Sequence, residues 1–261
     1  MNVMHRHRIG AAFSAADEYD RHAPVQHIVA RGLASRIAVL PLPSRPRILE
    51  IGCGTGFLTE AIMAQGMEAD WYITDISPQM LQRCRKRVGE APDRRFCLLD
   101  GEYGEPEEMA TFDLICSSLA MQWFDDQGAA LSRLLGWLRP GGHCIFTTLG
   151  SDTFKEWRAA HRLAGLHPGT PDFMTVAQIA AMDPGSAQEP PNILRYVEHH
   201  DSALHFMRSL KAIGASTARD RHRPLKPAQI RKVMRNFETG GAAVTYEVAT
   251  CHHMRSMSDR R

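Results

Sequence analysis

Ten residues, RILEIGCGTG at positions 47–56, constrain this chain more than any other stretch. Arg47 to Ile51 has the β-branched and leucine content of a buried strand, and Phe57 to Gln65 reads as the helix that follows. Gly52, Gly54 and Gly56 therefore fall in the turn between them. Backbone without Cβ atoms bends tightly, accepts positive φ and lets a ligand pack on main-chain N–H groups, so the loop is expected to cradle a nucleotide-type cofactor. The spacing narrows the choice. A dinucleotide fingerprint, G-x-G-x-x-G, needs glycine at position 57, where this chain has Phe57. A tight turn with no ligand, or a divergent nicotinamide site, stays open at this level.

Two further carboxylates fit the same ligand. Asp75 ends a second apolar run, Trp71 to Thr74, and a carboxylate there accepts both hydroxyls of a ribose. Ser77-Pro78 directly after it is also a good helix start, with serine as N-cap and proline at the first helical position. Asp100 follows a third run, Phe96 to Leu99, although Asp100-Gly101 is equally a turn dipeptide. A fourth strand is expected over Asp113 to Ser117, a helix over Leu131 to Leu138 stopped by Arg139-Pro140-Gly141-Gly142, and a fifth strand over His143 to Leu149. Such alternation argues a parallel sheet covered on both faces, with ligands beyond the carboxyl ends of its strands. Glu50, Asp75, Asp100 and Ser117 all stand at such ends.

The acid-then-glycines pattern resembles the first motif of the seven-stranded, S-adenosylmethionine-dependent methyltransferases. The resemblance implies an α/β, doubly wound, Rossmann-like sheet, mostly parallel with an antiparallel last strand, plus a helical cap. It also implies S-adenosylmethionine as cofactor, leaving as S-adenosylhomocysteine. The cofactor residues it implies are Glu50, Gly52, Cys53, Gly54, Gly56, Asp75, Ile76, Met80, Asp100, Gly101, Ser117 and Leu119. Asp100 would meet the adenine amino group.

A narrower resemblance rests on FSAADEYDRHAPVQ at 13–26, SLAMQWFDD at 118–126, FTTLGSDTFKEWR at 146–158, LKAIGA at 210–215 and AVTYEVATCHHMR at 243–255. Together these look like the malonyl-acyl-carrier-protein O-methyltransferases of biotin synthesis. That family methylates the free carboxylate of a malonyl thioester. Such a carboxylate is ionised at neutral pH and needs no general base, only donors or a cation to orient it. The candidates are Tyr19, Gln122, Trp123 and Arg158; the loop at 166–174, LHPGTPDFM, supplies no cation. A methyltransferase of another small carboxylic acid or of a quinone precursor, and a non-methylating assembly factor of the same fold, are the alternatives.

The expected organisation is an N-terminal helical cap at 1–46, a cofactor-binding core at 47–150 and cap helices at 151–192. The last strands follow at 193–261, with a basic helical lid inserted at 202–236. Strands are expected near 193–200 and 243–251. From Arg208 to Arg235 the lid has nine Lys or Arg residues against the single acid Asp220, a docking surface for an acidic partner. The implied partner is malonyl-acyl carrier protein, or malonyl-CoA in its place. Few aromatics accompany these cations, which argues against nucleic acid. A second cluster, Arg83, Arg85, Lys86 and Arg87, is expected to face solvent.

With 261 residues and 44% hydrophobic content the chain can bury a sizeable core. No stretch approaches the roughly 18 apolar residues of a membrane span, and MNVMHRHRIG lacks a signal-peptide core. A cytoplasmic protein is expected. Six cysteines lack C-x-x-C spacing, so neither disulfides nor zinc are expected. His199-His200 and His252-His253 are adjacent on strands and are expected at the strand surface.

Overall fold

Helix α1 (Pro24–Ile37) leads into β1 (Arg47–Ile51), and strand and helix then alternate except that β4 follows β3 with no helix among the described residues between them. The elements are α2 (Phe57–Met63), β2 (Asp70–Asp75), α3 (Pro78–Val88), β3 (Arg94–Leu98), β4 (Phe112–Ser118), α4 (Gln127–Trp137) and β5 (Leu138–Leu149). They come from a computed structural model that describes residues 10–11, 13–14, 19–108, 111–183, 185–215 and 224–257. After β5 come α5 (Lys155–Leu163), α6 (Val176–Ala180), β6 (Asn192–His199), α7 (Ala203–Ala212), α8 (Pro227–Thr239) and β7 (Ala243–Met254).

The seven strands form one sheet in the order β3-β2-β1-β4-β5-β7-β6. β1 to β5 pair in parallel, with Glu50 of β1 opposite Ile73 on one side and Cys116 on the other. β7 runs against β5: Gly141 N–H reaches Arg255 O at 3.0 Å near one end, and Gly150 N–H reaches Glu247 O at 2.7 Å near the other. The chain winds outward from β1 through β2 to β3, then returns to β4 on the opposite side of β1. That reversal is the switch point at which open α/β sheets bind ligands.

Residues divide into two compact units. One comprises the described residues of 26–148, 176–192 and 249–261. Its core packs Leu33 and Ile37 of α1, Leu58 and Ile62 of α2 and Cys84 of α3 against Ile48, Trp71, Ile73 and Leu114 of the sheet. The other comprises the described residues of 1–25, 149–175 and 193–248, held by edge-to-face rings. Trp157 of α5 lies 5.3 Å from both Phe206 of α7 and Phe237 of α8, and Phe154 lies 5.1 Å from Tyr246.

Four expectations need correction. α4 begins at Gln127, four residues before Leu131, because the Asp126 side chain caps it by accepting Ala129 N–H at 2.9 Å. Arg139 to Gly142 do not break the chain into a loop but enter β5, since Gly141 and Gly142 bond to Arg255. His200 and His253 are buried rather than superficial, and His253 lies parallel to Phe146 at 5.9 Å while bonding Ser186 Oγ at 2.9 Å. Arg87 is also not merely solvent-facing, as shown below. All six cysteines are free thiols, and among the described residues no helix is long and apolar enough to cross a membrane.

Candidate cofactor and acceptor site

The glycine loop leaves β1 under two constraints that exclude a side chain. Gly52 has φ +69°, and a Cβ there would lie 2.6 Å from the Ala120 Cβ; Gly56, the N-cap of α2, has φ +93° with Cys84 Sγ 2.9 Å from any added Cβ. Both positions are left-handed and filled by neighbours, so glycine is required twice over. Cys53 N–H bonds Thr74 O at 2.8 Å and fixes the loop to the end of β2.

Asp75 joins three segments. Its Oδ2 accepts Gly54 N–H at 2.9 Å and its Oδ1 accepts Ser77 N–H at 2.8 Å, while Ser77 Oγ caps α3 by accepting Met80 N–H at 3.2 Å. Each carboxylate oxygen has capacity for a second donor, as a ribose hydroxyl would supply. Burial pushes the Asp75 carboxyl up to about 6, opposed by the N–H groups of Ser77, Gly54 and Ile76. Glu50 is 1% exposed, and burial raises its pKa to about 7, although Thr59 Oγ1 donates to its Oε2 at 2.5 Å. Thr74 Oγ1 donates to the Glu50 carbonyl at 2.6 Å. Two acids and a loop without side chains at 52, 54 and 56, all at one switch point, fit a nucleoside that brings hydroxyl donors and no phosphate.

The remaining cofactor candidates belong to the same unit. Asp100 Oδ1 accepts the N–H groups of Glu102 (2.9 Å) and Tyr103 (3.2 Å), making a tight turn, and a Cβ on Gly101 would collide with Ile51 at the end of β1. Ser117 Oγ donates to Ile51 O at 2.8 Å, which ties β4 to the start of the glycine loop. Leu119 has φ +52°, a strained value for leucine, held by its N–H on Thr147 Oγ1 at 3.0 Å. Met80 is buried and Ile76 half-buried. Gln122 and Trp123 sit in a 3₁₀ turn, Met121–Trp123, and Gln122 Nε2 donates to Leu119 O at 2.5 Å.

Tyr19 and Arg158 belong to the other unit. Tyr19 opens a 3₁₀ turn, Tyr19–His22, whose His22 Nδ1 lies 3.4 Å from Ser209 Oγ of α7. Arg158, half-buried on α5, spends its guanidinium on the carbonyls of Ser151 and Thr153. Among the described residues no cluster of three metal-type ligands occurs.

Sequence reading missed two residues at the cofactor site. Arg87 donates from Nε to Thr55 O at 2.7 Å, pairs with Glu60 at 3.0 Å and lies 4.7 Å over the Phe57 ring, so a charge assigned to solvent instead braces the glycine loop. Glu102 is 3% exposed and accepts two main-chain N–H groups beyond Trp123. Helical spacing offered one clue: Arg87 and Cys84 are three apart, and Cys84 faces Gly56.

Comparison with known proteins agrees with this geometry. A family model described as a methyltransferase domain matches residues 49–146. The fold resembles the YcgJ protein of Bacillus subtilis (TM-score 0.60, 14% identity, covering 87% of this chain and 98% of that one). It also resembles a methyltransferase-titled structure from Bacillus halodurans (TM-score 0.61, 12% identity, 87% and 98%). The matched domain and the fold thus define a methyltransferase.

Sequence identity goes further. The chain is 40% identical to malonyl-[acyl-carrier protein] O-methyltransferase of Magnetococcus marinus over 97% of this chain and 94% of that protein, and it belongs to that family. It is also 46% identical, over 90% of its length, to the biotin biosynthesis bifunctional protein BioCD of Bordetella avium, of which it spans 50%.

Proposed function

We propose that this enzyme methylates the free carboxylate of a malonyl thioester carried on acyl carrier protein, an early step towards the pimeloyl chain of biotin. The observation that carries the reading is the near full-length identity to the Magnetococcus marinus enzyme. Bound S-adenosylmethionine supplies a methyl group on a positively charged sulfur. Gly52, Gly54 and Gly56, lacking Cβ atoms, let the nucleoside lie directly against the loop, and Asp75 takes its ribose hydroxyls. Asp100 and Gly101 receive the adenine end. Gln122, with one amide N–H on Leu119 O, turns its second N–H towards the acceptor carboxylate, and the Trp123 ring screens the site from water. The carboxylate is already ionised, so the protein's task is alignment of nucleophile, methyl and sulfur rather than proton removal. Tyr19 is assigned a donor role towards the carboxylate on the strength of the sequence resemblance. Arg158 is assigned a supporting one, consistent with a guanidinium already engaged on Ser151 and Thr153.

The acidic carrier protein docks on the basic stretch at 208–235. Among its described members, Arg208, Lys211, Lys226, Arg231, Lys232 and Arg235 are all exposed. Arg219, Arg221 and Arg223, which the sequence singled out, lie outside the described residues.

Incubation with labelled methyl donor and malonyl-carrier protein, malonyl-CoA or a quinone-precursor acceptor tests the assignment. Methyl ester on the malonyl thioesters is the expected result; label on the quinone ring and none on malonyl would overturn it. Reversal of Arg231 and Arg235 to Glu is expected to raise KM for the carrier-bound substrate well above its effect on malonyl-CoA, and equal effects would remove the dock.

A further inference from the structure

The turn after β3 and the turn after β4 are joined by one buried acid. Glu102 is 3% exposed, and its two oxygens accept consecutive main-chain N–H groups, Oε1 from Asp126 at 2.8 Å and Oε2 from Asp125 at 3.0 Å. Its own N–H donates to Asp100 Oδ1 at 2.9 Å, and its carbonyl receives the Arg133 guanidinium, which also reaches Gly104 O. The join is reinforced on both sides. Tyr103 Oη donates to Asp125 Oδ2 at 3.2 Å, and a Cβ on Gly101 would come within 3.1 Å of the Phe124 ring. A carboxylate so buried needs compensating donors, and it finds them in Asp125 and Asp126, just beyond Gln122, Trp123 and Phe124.

We propose that Glu102 is a positioning residue that locks the adenine-end turn, Asp100–Gly101, to the segment carrying Gln122 and Trp123, so that nucleoside binding and acceptor placement share one rigid frame. The inference rests on the cofactor site described above and not on which acceptor is methylated. Carboxylate geometry is specific here. Glutamine at 102 keeps one acceptor oxygen but turns an NH2 group on the second main-chain N–H, which separates the two turns while leaving shape and volume nearly unchanged. Alanine removes both contacts.

The test compares wild type with Glu102→Gln and Glu102→Ala. Calorimetry with S-adenosylhomocysteine is paired with 19F NMR of 5-fluorotryptophan-labelled protein, in which the Trp123 resonance is assigned with Trp123→Phe. For Glu102→Gln, the dissociation constant is expected to rise about tenfold, as displaced site elements commonly cause, and the Trp123 resonance to shift or broaden. The melting temperature should stay within a few degrees of wild type. A double-mutant cycle with Asp100→Asn is expected to be non-additive. Unchanged affinity and an unchanged Trp123 signal, in a folded Glu102→Gln protein, would overturn the inference. Both readouts are independent of malonyl methylation, so failure of the acceptor assignment would leave this result standing.

Discussion

Gly52 illustrates how a single atom sets the site. Alanine there must hold φ +69° and place its Cβ 2.6 Å from Ala120, so Gly52→Ala is expected to lower S-adenosylhomocysteine affinity at least tenfold, measured by calorimetry. Glu50 and Asp75 make a different prediction. Burial raises both above the ordinary carboxylate range, to about 7 and about 6. A raised acid favours the fold while protonated, so this contribution is complete below about pH 4 and is lost as pH rises through 6 and 7. It amounts to roughly 3 kcal/mol for each group, since each tenfold gain in proton affinity on folding corresponds to roughly 1.4 kcal/mol. Thermal unfolding of the ligand-free protein from pH 4 to 8 checks it: Glu50→Gln with Asp75→Asn is expected to flatten the slope. The glycines and Asp75 were legible because each answers a local demand, positive φ or a strand's carboxyl end. Arg87 and Glu102 were not, since their partners are Thr55 and Asp125, 32 and 23 residues away in sequence.

Among elements, the strands of the parallel core stood out because buried apolar runs are bounded by turn residues, whereas the starts of helices depend on caps. Asp126 was passed over as a cap because Leu131 begins the visible apolar repeat, although the chain turns helical four residues earlier. Asp126→Ala is expected to destabilise α4 by about 1 kcal/mol in urea titration. β7 carries a second testable device. Buried Glu247 accepts Arg195 of β6 at 2.6 Å and Asp152 N–H at 3.0 Å, and so ties the turn after β5 to the last strand. Arg195 is half-exposed, so Arg195→Met should cost roughly 1–3 kcal/mol by stranding the acid, and a second change, Glu247→Gln, should recover most of it. Single substitutions that simply add would contradict the pairing. Neither contact was readable from the strand pattern, which gives the face of a residue and not its neighbour.

At the scale of the whole molecule, a parallel α/β sheet with a ligand beyond its strand ends followed from one strand, its glycines and the alternation after it, while the cofactor rested on the resemblance of that motif and the acceptor on segments spread from residue 13 to residue 255. Tyr19, Gln122 and Trp123, proposed for the acceptor, stand in irregular pieces, the 3₁₀ turns at Tyr19–His22 and Met121–Trp123, for which no short-range rule exists. Net charge of +2 hides the cations at 208–235, and carrier recognition through them is expected to weaken with salt. KM for malonyl-carrier protein measured between low and 0.5 M salt should rise several-fold more than KM for malonyl-CoA. The order β3-β2-β1-β4-β5-β7-β6 also governs how the polypeptide is made. β7 leaves the ribosome after β5 and β6 and fills the gap between them, so nascent chains carry an open hydrogen-bonding edge on β5, and an orphaned β6, until position 254 has emerged. Premature termination before Ala243 therefore yields a sticky fragment rather than a smaller enzyme, and slowed translation lengthens that vulnerable interval.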